Sequence, residues 1–533
     1  MLANEQIGPT RYPIFSKNLG RQRGKEAWNT NLQLASLAAS KVASCLGPMG
    51  AYKLVTYHRG AELVTKVTKD AVDIVDELGV QYPAIKTIAE AAKIHRQEAG
   101  DGVSTLLVLL SALLEEAEKL IGMGVHPVAI LEGYKAAAEK SIEVIDEVAA
   151  DFDGDLSDSL LKLTDCGRGL LNKKLREALS SAVDLAEYQG SVDLSRIKIE
   201  KKLGGAIEDS QLVRGIIIKR EKAHRSMPDR VDVPKVALVN KRIEIKPFEQ
   251  LAKGEGPFPA RLNITEAGQL PRFKSEERAM RARIVERVKS SGANVLICRS
   301  RIEERVSDKL SREGIFAIQM VEQRDLDEIA RVTGAKIVGD VSLLEKDDLG
   351  FATGLEMDKI PPEHIAVLKC EAGATLLLRG SSPELVQELE KIVRGGLLLL
   401  KHARVKPKIV PGGGAIFVLL ALRLRAFALT FSGRQQLAVK AFADALETLP
   451  KWLATNYGLD PIDTIMQLRS HHSENLNSMG VGEHGCADMY RANVAELASV
   501  NKATIWRTFE VTSLLLRIDD YFYVKDLPVF HKQ

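Results

Sequence analysis

Helix-like and strand-like patterning are segregated along this chain, and that segregation constrains its fold more than any single motif. From Asn29 to Ala149 alanine, leucine, isoleucine and valine recur at three- and four-residue steps, the period of one helix face. Breaks fall at Leu46-Gly47-Pro48-Met49-Gly50, Tyr82-Pro83 and Gly122–Pro127. One interruption reads differently: Lys53–Tyr57 and Glu62–Thr65 flank His58-Arg59-Gly60 as a β-hairpin. The middle of the chain then alternates short apolar strands with amphipathic helices. The strands are expected at Ile197–Lys201, Gly215–Ile218, Val236–Val239, Asn294–Cys298, Ile315–Met320, Lys336–Val338, Ile365–Leu368 and Thr375–Leu378. The helices between them are expected at Ser275–Ser290, Ile302–Arg312 and Asp325–Val332. Such alternation is the pattern of an α/β domain. Helical character returns at Pro383–Leu400 and runs to about Thr512, before a β-like tail at Leu515–Val524. Two helical ends around an α/β middle suggest one helical domain built from both termini with the middle inserted. Separate domains in series fit the same pattern.

With 533 residues, three or four domains are expected. The chain is 45% hydrophobic and 27% charged, which suits well-cored globular domains. Its 74 basic and 71 acidic residues nearly cancel, so a nucleic acid is not expected as main partner. The five cysteines (45, 166, 298, 370 and 486) are scattered and show no C-x-x-C spacing, which indicates neither a zinc site nor a disulfide framework. Met1–Arg23 is polar, and apolar runs such as Ile416–Leu422 are far below the roughly 20 residues of a membrane span. A cytoplasmic protein without membrane contact is expected.

The hexapeptide Gly100-Asp101-Gly102-Val103-Ser104-Thr105 lies between two helical patterns. It reads as a tight turn feeding a helix N-terminus, where free backbone N–H groups and the helix dipole favour a phosphate. Asp101 adds a hard carboxylate of the kind Mg²⁺ takes beside phosphate oxygens, and Ser104 and Thr105 add hydroxyls. Taken alone, the same residues are equally a plain helix cap.

Two further features bear on function. The segment Lys246–Lys274 carries six glycines or prolines within Gly254–Pro259 and Gly268–Pro271 and the apolar residues Phe248, Phe258, Leu262, Ile264, Leu270 and Phe273. It reads either as a surface loop packed by its own side chains or as a binding or lid element. Motifs of nucleotide-dependent metabolic enzymes are absent: there is no G-x-x-x-x-G-K-[ST], no G-x-G-x-x-G after a strand, and no H-E-x-x-H.

Together the motifs resemble a group II chaperonin subunit, like those of the archaeal thermosome and the eukaryotic cytosolic chaperonin. The markers are Gly24-Lys25-Glu26-Ala27, Leu46-Gly47-Pro48, Gly100-Asp101-Gly102, Gly124-Val125-His126-Pro127, Val410 through Ala415, Gly458 through Asp463 and Arg517-Ile518-Asp519-Asp520. Each is weak alone; their order and spacing are specific, and they cover nearly the whole chain. The pattern is most similar to a thermosome subunit, of a minor type. The resemblance implies an α/β multidomain chaperonin fold. Its equatorial ATP-binding domain would comprise 1–150 and 405–533, its intermediate domain 151–218 and 371–404, and its apical domain 219–370 with a lid protrusion over 246–280. It also implies paralogous subunits in a stacked double ring that encloses unfolded client proteins, with the protrusion as lid and client contact.

The same resemblance assigns the site. Leu46, Gly47 and Pro48 would lie against the phosphates, Asp101 would hold Mg²⁺, and Gly100, Gly102, Val103, Ser104 and Thr105 would line the phosphate turn of ATP. Gly413 and Gly414 would approach base and ribose, where a side chain would collide, with Asn456 and Glu496 nearby. Asp70 would stand beside the γ-phosphate. The chain departs from the family at four places. Where the family reads Thr-Asn-Asp-Gly-x-Thr, this chain reads Thr68-Lys69-Asp70-Ala71-Val72-Asp73. Ala71 would force the turn to shift if its φ had to be positive, and Asp73 brings a negative charge that either opposes a phosphate or faces solvent. Val103 replaces a threonine. The family's hydrolytic aspartate, which orients the attacking water, falls on Gly395, and no acidic residue between Lys391 and Ile409 replaces it. The resemblance therefore implies a subunit that binds ATP with weak or absent hydrolysis, or a non-hydrolysing structural or regulatory subunit. In the lid, Gly268 and Pro271 interrupt the family's regular helix, which implies a shorter or displaced one.

Overall fold

The computed structural model describes residues 6–7, 10–11, 19–23, 25–59, 62–78, 83–151, 157–158, 160–161, 170–188, 190–245, 269–360, 363–370, 373–405, 408–518 and 520–524. The chain forms two compact units, Met1–Leu171 with Lys391–Gln533, and Asn172–Glu390.

The first unit is organised around the helix Val103–Gly122. Its sequence carries Leu106, Leu107, Val108, Leu109 and Leu110 in succession, and all five are buried. A helix apolar on every side must be surrounded. Here the helices Lys25–Ala43, Arg434–Leu446 and Ala498–Leu516 pack against it, so residues from both chain ends share one core. Fully burying each leucine contributes about 1.5–3 kcal/mol. The helix ends at Met123, and Gly124 at φ +83° turns the chain. His126 then caps the helix Pro127–Val148: its Nδ1 accepts the Val128 N–H, and Pro127 occupies the first turn, where no N–H is needed.

Strands of this unit are short. Lys53–Arg59 pairs with Glu62–Thr68 as an antiparallel hairpin, longer than the sequence pattern suggests. Lys408–Pro411 pairs with Ala495–Leu497 and with Ala150–Asp151, and Met479–Gly482 folds back on Gly485–Asp488. The β-like tail begins later than expected. Leu515 and Leu516 are the buried last residues of the Ala498–Leu516 helix, and only Asp520–Val524 is a strand. It pairs with Leu19–Arg23 of the same chain.

The second unit carries the α/β pattern. Four parallel strands lie in the order Phe316–Ile318, Val295–Cys298, Lys235–Val239, Ile337–Val338, with Gly350–Phe351 antiparallel to Lys235–Val239. Val236–Val239 and Val295–Cys298 are buried throughout, as parallel strands covered on both faces must be. The helices Gln269–Ser291, Glu304–Arg312 and Gln323–Thr333 alternate with them. A second sheet runs Ile216–Ile218, Glu363–Lys369, Gly354–Ile360, Arg230–Asp232, and a third places Ala374–Gly380 between Gln211–Arg214 and Ile197–Leu203. Strands Arg230–Asp232, Gly354–Ile360 and Gln211–Arg214 escape the sequence pattern because they are short or interleave charged residues.

The expected lid residues Phe248, Phe258, Leu262 and Ile264 lie outside the described residues. Leu270 and Phe273 fall in the first turns of the Gln269–Ser291 helix, which starts six residues before the expected Ser275. Pro271 is its third residue, where the missing N–H has no intrahelical partner to lose.

Candidate functional site

A cavity of about 540 Å³ opens in the unit built from the two chain ends. Three backbone turns shape it. The first follows the Lys25–Ala43 helix. Gly47, at φ +76°, bends the chain, and two side chains hold the bend. Asn456 Nδ2 donates to the carbonyls of Ala43 (3.0 Å) and Leu46 (2.8 Å). Lys69 Nζ donates to those of Gly47 (2.8 Å) and Pro48 (3.1 Å).

The second turn is Gly100–Gly102, with φ +82° and +83° at the two glycines. Asp101 accepts the Gly102 N–H at 2.7 Å, and the Leu106 N–H bonds back to Gly102 to start the helix. Behind the turn stands His95, buried, hydrogen-bonded to the Asp101 backbone and to Thr504 (3.2 Å). Burial and then the Arg507 charge push the imidazole down to about 4, so it is neutral at physiological pH. A side chain on Gly102 would meet Thr504 Oγ1 at 2.7 Å. One on Gly100 would meet the Gly395 carbonyl oxygen and Leu398 Cβ, both at 2.9 Å.

The third turn is Gly412-Gly413-Gly414. Gly413 and Gly414 have φ +60° and +76°. A Cβ on Gly413 would lie 2.4 Å from Met489 Sδ, and one on Gly414 3.0 Å from Pro450 Cβ. The space a side chain would need here is already filled by the protein, a different cause from the expected collision with a ligand. Glu496, in the strand paired with Lys408–Pro411, accepts from Asn501 Nδ2 at 2.9 Å. Its enclosure, followed by the nearby Asp101 charge, raises its carboxyl to about 7 against the pull of that hydrogen bond.

Leu46, Gly47, Pro48, Asp101, Gly102, Ser104, Thr105, Gly413, Gly414 and Glu496 line this cavity. The other expected site residues do not. Val103 is buried in the helical core, and Gly100 lies behind its turn. Asn456 fastens the first turn. Gly395 is buried in the helix Pro383–Val405, its carbonyl against Gly100. Asp70 caps the helix Ala71–Leu78, accepting the Val72 N–H at 2.9 Å, and is ion-paired with Arg96. Burial opposes its ionisation, but the Arg96 charge and hydrogen bond outweigh it and hold the carboxyl well below the ordinary range. Ala71 is simply the first helical residue, so no positive φ is required. Asp73 neither faces solvent nor adds an uncompensated charge: Lys66 and Lys391 neutralise it.

Sequence reasoning missed two parts of the wall. Lys69 brings a cation into the lining, and its only signal was its place beside Asp70 in Thr68-Lys69-Asp70. Phe417, Leu453, Tyr457, Val481, Met489 and Val500 make an apolar slot, assembled from elements distant in sequence. A cavity lined by this apolar slot together with carboxylates, hydroxyls, an ammonium and the N-terminus of the Val103–Gly122 helix can take a flat aromatic group carrying an anionic tail. The donor set of Asp101, Ser104 and Thr105 is oxygen only, as Mg²⁺ beside phosphate requires.

This fold and cavity define the class. Residues 39–525 match the TCP-1/cpn60 chaperonin family, and the chain belongs to it. It is 36% identical to a thermosome subunit of Methanopyrus kandleri, with 96% of this chain and 95% of the relative covered. It is 35% identical to thermosome subunit alpha of Archaeoglobus fulgidus (97% and 95% covered) and to thermosome subunit beta of Thermoplasma acidophilum (96% and 95%). Among the described residues no helix is long and apolar enough to cross a membrane.

Proposed function

We propose that this chain is a subunit of a stacked double-ring chaperonin that binds ATP in the 540 Å³ cavity and encloses unfolded proteins, with paralogous subunits in the ring. The observation that carries the reading is the convergence of Gly47, Asp101, Gly102, Thr105, Gly414 and Glu496, contributed by both chain ends, on one cavity. The first-turn N–H groups of the Val103–Gly122 helix, which have no intrahelical acceptor, and the dipole of that helix receive the phosphates. Asp101 holds Mg²⁺, which screens phosphate charge when bound. The apolar slot around Phe417 and Tyr457 takes the base. On this reading 1–150 and 405–533 form the equatorial domain, 151–218 with 371–404 the intermediate domain and 219–370 the apical domain, and the protein works in the cytoplasm.

Hydrolysis is slow or absent. Positioning the attacking water is most of what a protein does in phosphoryl transfer. At Gly395, against the turn, there is a carbonyl and no carboxylate. Asp70 is committed to Arg96, and Asp73 to Lys66 and Lys391. The subunit then serves a mixed ring as a structural or regulatory member. Steady-state phosphate release by the purified subunit, its Gly395→Asp variant and a thermosome subunit tests this. Slow release, accelerated in the variant, is expected. Wild-type release equal to that of the thermosome subunit rejects slow hydrolysis, and absence of nucleotide binding rejects the site.

A further inference from the structure

The Asn172–Glu390 unit carries a charged feature that the nucleotide cavity does not explain. Open α/β sheets bind ligands beyond the carboxyl ends of their parallel strands. Here those ends run into Lys241-Arg242 after Lys235–Val239, Arg299-Ser300-Arg301 after Val295–Cys298, and Gln319-Met320 after Phe316–Ile318. They border two adjoining hollows of about 840 and 380 Å³ that share Arg242. Arg283 and Arg287, one turn apart on the Gln269–Ser291 helix, line the smaller one. Six cationic side chains therefore face the cleft, against the carboxylates of Glu244, Glu322 and Asp340.

Those carboxylates are used locally. Lys241 pairs with Asp340 at 2.9 Å, Arg242 with Glu244 at 2.7 Å, and Glu322 with Arg220 at 3.7 Å. Arg299 donates to Asn240 Oδ1. Among the described residues, the side chains of Arg283, Arg287 and Arg301 make no hydrogen bond or ion pair, and all three are exposed. Like charges at i and i+4 destabilise a helix, so Arg283 and Arg287 are best satisfied by an anion from outside. The rim is also rigid. The Ile243 N–H bonds to the Arg301 carbonyl (3.2 Å), the Glu303 N–H to that of Ile243 (2.8 Å), and the Ile302 N–H to Gln319 Oε1 (2.9 Å). Met320 is held at φ +60°, rare for a side-chain-bearing residue, with its side chain exposed at the lip.

The lining also indicates the kind of anion. Among the described lining residues none is aromatic, so bases of a nucleic acid have no stacking platform. Met320 and the half-buried Ile284 offer apolar contact. A polypeptide with acidic side chains supplies carboxylates for the arginines and apolar atoms for Met320.

We infer that this arginine-lined cleft, beyond the carboxyl ends of the parallel strands, is a binding site for acidic segments of non-native polypeptide. This deepens the client-binding reading above and rests on it. The guanidinium fork pairs two-pronged with carboxylate, so the site selects on charge as well as exposed apolar surface.

Fluorescence anisotropy of the purified full chain without nucleotide tests it, using three labelled probes: a Glu/Leu-rich peptide, its Lys/Leu-rich counterpart and a single-stranded oligonucleotide. The acidic peptide binds most tightly, and the exposed-surface triple substitution R283E/R287E/R301E weakens it about tenfold or more, a loss that salt mimics. The corresponding Arg→Lys triple variant retains part of the affinity, which separates bidentate pairing from net charge. Equal binding of both peptides, unchanged binding in the Arg→Glu variant, or preference for the oligonucleotide overturns the inference. Capture of a denatured acidic and a denatured basic protein distinguishes the levels. Capture of neither rejects the client-binding reading itself, whereas equal capture of both rejects only the charge selection.

Discussion

The carbonyl oxygen of Gly395 lies 2.9 Å from the point where a Cβ on Gly100 would stand, closer than a side-chain carbon tolerates. The Gly100–Gly102 turn and the Pro383–Val405 helix thus meet backbone to backbone.

Replacing Gly100 with alanine is expected to damage this contact twice. The residue needs φ +82°, and the new methyl would press on Gly395 and Leu398. The left-handed conformation alone costs a non-glycine residue about 1–2 kcal/mol. Urea unfolding of the variant should show a lower midpoint, and titration calorimetry a loss of nucleotide affinity.

Lys69→Met keeps the aliphatic stem and removes the ammonium that spans the Gly47 and Pro48 carbonyls. Pro48 is exposed and the Gly47 carbonyl keeps the Gly50 N–H, so the loss is that of the charged hydrogen bonds, about 1.5–3 kcal/mol. The variant should melt earlier and bind nucleotide more weakly. Unchanged affinity would separate Lys69 from the site.

Glu447 gives the first unit an acid-sensitive anchor. The carboxylate is almost fully buried and accepts from Arg425 (2.7 Å) and Arg469 (2.8 Å). Burial works against the charged form, yet the two guanidiniums prevail and lower the carboxyl from its ordinary 4.5 to about 2. A depressed folded-state pKa stabilises above the ordinary value and loses that contribution as pH falls toward 2. The effect is on the order of 3 kcal/mol. Arg469→Met should lower the urea midpoint at neutral pH and flatten its decline between pH 4.5 and 2.

Truncation after Ile518 removes the strand Asp520–Val524 and leaves Leu19–Arg23 without its partner. A two-stranded ribbon is marginal alone, and its unpaired edges suit a further strand from another subunit. Gel filtration of the truncated chain should show fewer rings. Intact rings would exclude the tail from assembly.

Much of this was legible in the sequence, for local reasons. Gly102 and Gly124 announce turns because only glycine adopts their φ cheaply. The segregated periodicities give the division into units, since burial of one face is itself periodic. What stayed hidden depends on partners far along the chain. Asp73 is neutralised by Lys391, 318 residues away, and Asn456 reaches Leu46 across 410. Neither pairing leaves a local trace, so a charge expected near a phosphate proves to be internal, and an expected ligand contact proves to be a fastener.

The cavity draws Leu46 and Asp101 from the early chain and Glu496 and Thr504 from the late chain, while Asn172–Glu390 forms a unit of its own. That order has a consequence in time. On the ribosome the early helices emerge without the Arg434–Leu446 and Ala498–Leu516 helices that complete their core. The intervening unit is then made in full, taking roughly 10–40 s at about 5–20 residues per second. For that interval the nascent first half is an unfinished helical core with exposed leucines. A protein whose family folds others is thus born with a long dependence on protection of its own.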